Sequence, residues 1–114
     1  WDAAKKLAEF LEKMEENLEL RRPGVRILEL GAGCGWLGLT VARNLPGAHI
    51  CMTEMEQGGA LEHLDFNVSK AREKHPLENV STAALDWSLW SDGNSCSAKE
   101  AGLETDWDLI IGSD

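Results

Sequence analysis

Val25-Arg26-Ile27-Leu28-Glu29-Leu30-Gly31-Ala32-Gly33-Cys34-Gly35-Trp36-Leu37-Gly38 decides the fold of this chain. Val25, Ile27, Leu28 and Leu30 are the β-branched and aliphatic residues of a strand covered on both faces, and Gly31, Gly33, Gly35 and Gly38 then remove four side chains within eight residues. That order spells strand, glycine turn and helix, and a turn stripped of side chains lets backbone approach a ligand. Gly33 to Gly38 is itself a GxGxxG, a spelling shared by two classes of cofactor-binding sheet, so the hexapeptide alone does not choose between them.

Glu29 separates the two. An acid inside the strand end is costly to bury without a partner, and it would face the phosphates of a dinucleotide with the wrong sign. S-adenosylmethionine carries no phosphate. It carries a sulfonium, an α-ammonium and a ribose, all of which favour a carboxylate beside the turn, and Ile-Leu-Glu-Leu-Gly-Ala-Gly-Cys-Gly (27–35) resembles motif I of the class I methyltransferases. Two other readings compete: a nicotinamide-dependent oxidoreductase domain, and a non-catalytic interaction module in which the glycine turn only packs a helix onto a sheet.

Outside this stretch the composition sets bounds. The 114 residues, 43% of them hydrophobic, suit one globular domain with a modest core. No run approaches the roughly 18 apolar residues of a membrane span, and the first twenty residues are amphipathic and acidic, unlike a targeting peptide. A cytoplasmic protein with no membrane partner is the expectation. The three cysteines, Cys34, Cys51 and Cys96, form no CxxC or Cys/His cluster, which points to a reducing compartment and no metal. A net charge of −9 disfavours nucleic acid and suits a basic protein substrate, although twenty acids also serve solubility alone.

The chain then reads in order. Trp1 to Leu20 carries Ala3, Ala4, Leu7, Phe10, Leu11, Met14 and Leu18 at helical spacing, with Asp2 placed to cap. Arg22-Pro23-Gly24 stops that helix. A short apolar helix over Leu37 to Leu45 follows the glycine turn, then a strand over Ala48 to Thr53 with Glu54 at its carboxyl end. A connection of this length makes the two strands parallel through a right-handed crossover. Gln57 to Lys74 is a further helix closed by His75-Pro76, and Val80 to Leu85 a third strand. Ser88 to Thr105 has loop composition with room for one helical turn around Ala98 to Leu103, and Asp106 to Asp114 is a fourth strand with its core at Leu109 to Ile111. The sum is an α/β, Rossmann-like, doubly wound parallel sheet, and ligands bind such sheets beyond the carboxyl ends of the strands.

The chemically informative residues fall at those ends. Glu54 stands 21 residues after Gly33, where a carboxylate accepts hydrogen bonds from both hydroxyls of a ribose, and Glu56 competes for the same role. Asp86 can take an adenine amino group while Trp87 lies against the base, unless Trp87 is core. His49, His63 and His75 show no partner spacing.

A narrower resemblance covers the whole chain. Trp1-Asp2-Ala3-Ala4, the glycine motif, Thr53-Glu54, Gly58-Gly59-Ala60-Leu61 with Asn67, Leu85-Asp86-Trp87 and Asp108-Leu-Ile-Ile-Gly-Ser-Asp114 resemble the methyltransferase-like group of seven-strand enzymes, many of which methylate lysine in non-histone proteins. The resemblance implies that Trp1 flanks S-adenosylmethionine, that Glu29, Gly31, Ala32, Gly33 and Gly35 form its motif I contacts, that Glu54 holds ribose, and that Asp86 and Trp87 hold adenine. It also implies that Asp114 opens an Asp-x-x-Tyr motif at the acceptor site. The sequence stops at Asp114, short of that tyrosine. The expectation is therefore the amino-terminal part of such a domain, strand order 3-2-1-4, inactive alone, with an open fourth strand through which the chain could associate.

Overall fold

Parallel strands joined by helices put every connection on a face of the sheet, and that constraint positions the site. The computed structural model describes residues 2–86, 88, 103 and 105–113. Trp1, Trp87, Asp114 and nearly all of the 88–105 run, including residues 98–102 of its expected helical turn, lie outside the described residues.

In chain order the elements are α1 (Asp2–Met14), β1 (Arg26–Leu30), α2 (Trp36–Asn44), β2 (His49–Glu54), a 3-10 turn (Gln57–Gly59), α3 (Ala60–Lys74), β3 (Val80–Ala84) and β4 (Leu109–Gly112). The sheet runs β3-β2-β1-β4, as the sequence predicts, with every pairing parallel. β1 is central: Leu28 pairs with Cys51 on one side and with Ile110 on the other.

Two successive crossovers in the same direction place α2 and α3 on one face. That face carries most of the core, in which Ile27 and Ile50 pack with Leu37, Val41, Leu64 and Val68, and α1 adds Leu11. The opposite face holds a smaller cluster of Leu28, Cys51, Leu85 and Leu103, with Leu30, Ala83 and Trp107 against it. Asp108 sets the register of β4, accepting from the Arg26 backbone N–H at 2.8 Å and from Arg22 at 2.6 Å. Asn79 ties down the carboxyl end of α2 by donating to the carbonyls of Ala42, Leu45 and Ala48.

Several expectations are corrected. α1 stops at Met14, because the chain turns back through Glu19 at φ 52 to bury Leu20. Asp2 is its first helical residue, where an acid still favours the dipole. The packed stripe is Ala4, Leu7, Ala8 and Leu11, so Phe10, well off that stripe at 100° per residue, is 52% exposed. The helix expected from Gln57 begins only at Ala60, since Gly58 and Gly59 both adopt positive φ. β4 is not covered on both faces: Ile111 is buried, but Ile110 is 57% exposed.

Candidate cofactor site

The site is built where β1 and β2 end side by side. Past Leu30 the chain turns through Gly31, Ala32 and Gly33 to Gly35, which precedes α2 at φ 83, ψ 8. Gly35 is required twice over, by that left-handed backbone and by space, since a Cβ there would sit 2.7 Å from Leu64 Cδ1. The turn is fastened from three sides. The Ala32 N–H donates to the Thr53 carbonyl at 2.9 Å, the Gly33 N–H to Glu54 Oε2 at 2.9 Å, and Asn67 of α3 donates to the Cys34 carbonyl at 3.0 Å.

Glu54, the last residue of β2, is held as well as exposed to ligand. Its Oε1 accepts from the Met55 N–H at 2.9 Å, so each oxygen has one backbone donor and lone pairs to spare. The carboxylate lines a cavity of about 270 Å³ with Gly31, Met55, Asp86 and Ser88. Asp86 is oriented there by Ser88, whose N–H and hydroxyl donate to Asp86 Oδ1 at 2.9 and 2.6 Å. A second cavity of about 210 Å³, sharing Gly31, follows Ala32, Gly33, Cys34, Trp36 and Leu37 around the turn to Ala4 and Ser113. Among the described residues, no Lys, Arg or His lines either cavity.

Glu29 stands elsewhere. It is 1% exposed, on the helix-bearing face beneath α2, and lines neither cavity. A Cβ at Gly38 would collide with Glu29 Oε2 and with the Met52 side chain, so Gly38 is the residue that lets α2 lie over this carboxyl group. Among the described residues neither oxygen has a hydrogen-bond partner of good geometry, and the Gly38 N–H is the backbone donor that acts on the carboxyl group. Burial pushes the Glu29 pKa up to about 7; the Gly38 backbone amide offsets part of the rise, and the Glu54 charge adds to it.

Over residues 1–114 the chain matches the family model described as lysine methyltransferase. The chain belongs to that family. It is 35% identical over 114 residues to the protein N-lysine methyltransferase METTL21A of Danio rerio, covering all of this chain and 45% of that one. It is 31% identical to EEF1A lysine methyltransferase 3 of Xenopus tropicalis, covering 42% of it. The chain thus spans under half the length of these relatives. Among solved structures it resembles coclaurine N-methyltransferase bound to N-methylheliamine and SAH, at 22% identity and TM-score 0.49, over 68% of this chain and 21% of that one. The strand order, not this likeness, carries the fold.

Of the residues singled out in the sequence, the family member brings Gly31, Glu54 and Asp86 to one cavity and Gly31, Ala32 and Gly33 to the next, while Gly35 is buried at the foot of α2. Glu56 lies past the strand end and lines neither cavity. Trp1, Trp87 and Asp114 fall outside the described residues. Sequence reasoning assigned no role to Asn67 or to the Thr53 hydroxyl, which donates to the Glu29 carbonyl at 2.6 Å. Polar side chains that bond to backbone across different elements leave no signature in spacing.

Proposed function

We propose that the chain binds S-adenosylmethionine along the two cavities that meet at Gly31 and is the cofactor-binding part of a protein-lysine methyltransferase. One observation carries the reading: the Gly33 N–H, which a dinucleotide would need for its phosphates, is already engaged by the Glu54 carboxylate, in cavities that no cationic side chain lines among the described residues. Such a lining suits a nucleoside with a cationic tail and repels a diphosphate.

When bound, the cofactor supplies an electrophilic methyl group on sulfonium. The chain's own residues bind and orient. Glu54 accepts from the ribose hydroxyls with the lone pairs its backbone donors leave free, and charge-assisted bonds of that kind contribute about 1.5 to 3 kcal/mol each. Asp86 takes the adenine amino group, with Trp87 beside the base. The left-handed turn at Gly31 and Gly33 lets the methionine end approach backbone, and Trp1 flanks it. Glu29 acts from beneath, through Gly38 and the turn, rather than by touch.

The whole protein's acceptor is a lysine side chain of a non-histone protein. Methyl transfer in line from sulfonium to nitrogen asks for placement above all, an effect that can supply roughly 7 to 11 kcal/mol. The amine must be neutral, which costs about 4 to 5 kcal/mol near pH 7 from a free pKa of about 10.4. Asp114 is the residue proposed to orient it. A basic sequence around that lysine fits the net charge of −9. β4, which pairs only with β1 among the described residues and exposes Ile110, is proposed as a surface of association, and the cytoplasm as the location.

Calorimetric titration with S-adenosylmethionine, S-adenosylhomocysteine and NAD tests the reading. Both adenosyl compounds are expected to bind and NAD not to. Binding of NAD alone would establish an oxidoreductase domain instead, and binding of none would leave an interaction module.

A further inference from the structure

The helix-bearing face carries a third depression, away from the strand ends. α2 and α3 run side by side there, and the trough between them encloses about 590 Å³, more than either cavity at the glycine turn. Leu39, Leu77 and the ring of Trp36 supply an apolar lining, and Arg43, Lys70 and Lys74, all exposed, stand along it. In a chain with 20 acids and 11 Lys and Arg residues, three cations on one trough run against the composition.

Helix dipoles account for only part of this charge. Arg43 and Lys74 occupy the last turns of α2 and α3, and two carboxyl-terminal helix ends are together equivalent to about one negative charge. Lys70 pairs with Glu73 at 3.5 Å. Arg43 and Lys74 have no side-chain or carbonyl partner among the described residues, so about one positive charge stays uncompensated beside apolar surface.

We propose that this trough is a docking site for a short acidic segment of a partner protein, one bulky apolar side chain seated on Leu39 and Leu77 with flanking carboxylates at Arg43 and Lys74. A trough as long as α2 measures about 13 Å, room for about four residues of extended chain. Nucleic acid fits less well. The helices end there with carbonyls, so no backbone N–H groups converge to cradle a phosphate. The docking site is independent of the cofactor reading, although Trp36 lines both the trough and the cavity at the glycine turn.

The test uses a fluorescein-labelled, end-blocked peptide of about eight residues alternating Glu with Leu and Phe, read by anisotropy against the whole chain. The acidic peptide is expected to bind, and its counterpart with Lys in place of Glu not to. R43E/K74E should weaken binding at least tenfold and R43Q/K74Q by less; because both positions are exposed but offset helix dipoles, the variants should keep a cooperative melt at a modestly lower melting temperature. K5E/K6E, the same charge change on exposed positions of α1, should leave binding within twofold. Absence of binding by the acidic peptide, an equal loss in K5E/K6E, or tighter binding of a single-stranded oligouridylate at the same trough would each overturn the proposal.

Discussion

Glu29 and Glu54 stand near the carboxyl ends of neighbouring parallel strands, and their surroundings are opposite. Glu54 keeps access to a cavity and has a backbone N–H on each oxygen. Glu29 is sealed under α2, with no well-formed hydrogen bond to either oxygen among the described residues and a pKa raised to about 7. Position along the strands makes the difference, because Glu29 pairs with Met52 and Glu54 lies two residues further on, at the same face. Glu29 follows Val25 and Ile27 onto the helix-covered face, whereas Glu54 is the last residue of β2, where the sheet stops and the cavity begins. A carboxylate ready for ligand is thus distinguished from one that stores a titration by two residues along the strand direction.

The sharpest way to break this contrast is to remove Glu54. Two charge-assisted bonds to ribose would be lost in Glu54→Ala, so affinity for S-adenosylmethionine should fall by about a hundredfold or more, while Glu56→Ala stays within about twofold in the same titration. Equal losses would mean that the end of β2 is misread.

Glu29 should show itself in pH rather than in affinity. Its carboxyl rises from 4.5 in the unfolded chain to about 7 in the folded one. The folded state therefore binds the extra proton between those values. Its contribution is complete below about pH 4.5 and lost as pH climbs through 7, a change of about 3 kcal/mol. Denaturant melts from pH 5 to 8 should show that decline in the parent and a flatter profile in Glu29→Gln.

Gly38→Ala would press a methyl group into the Glu29 carboxyl and the Met52 side chain. Overpacking should cost about 1 to 3 kcal/mol even after the better helix propensity of alanine, read as a lowered denaturation midpoint. The smallest effect belongs to Asn67→Ala. Freeing the Cys34 carbonyl should cost about 1 kcal/mol and weaken cofactor binding a few-fold, without altering the pH profile.

How much of this was legible follows from the kind of signal each feature leaves. The run Val-Arg-Ile-Leu-Glu-Leu followed by spaced glycines spells β1, the turn and α2, and the crossover length makes β1 and β2 parallel, whereas the order 3-2-1-4 comes from the resemblance to the seven-strand enzymes. Glu54 was legible because a strand end and a distance from Gly33 both point to it. The inward direction of Glu29 was not, since its contact with Gly38 depends on how closely α2 settles on the sheet. Phe10 misled because helical spacing ranks apolar residues by angle but does not say how wide a stripe the neighbours cover, and the burial of Leu20 depends on a turn at Glu19 with no glycine to announce it.

A crystal structure of the chain soaked with S-adenosylhomocysteine tests the central claim most directly. The account predicts a ribose whose two hydroxyls lie within hydrogen-bond distance of the Glu54 carboxylate, adenine at Asp86, and Glu29 still buried against Gly38 without touching the ligand. A ribose held by Glu56 or Glu29, or a nucleoside lodged away from Gly31, would contradict it.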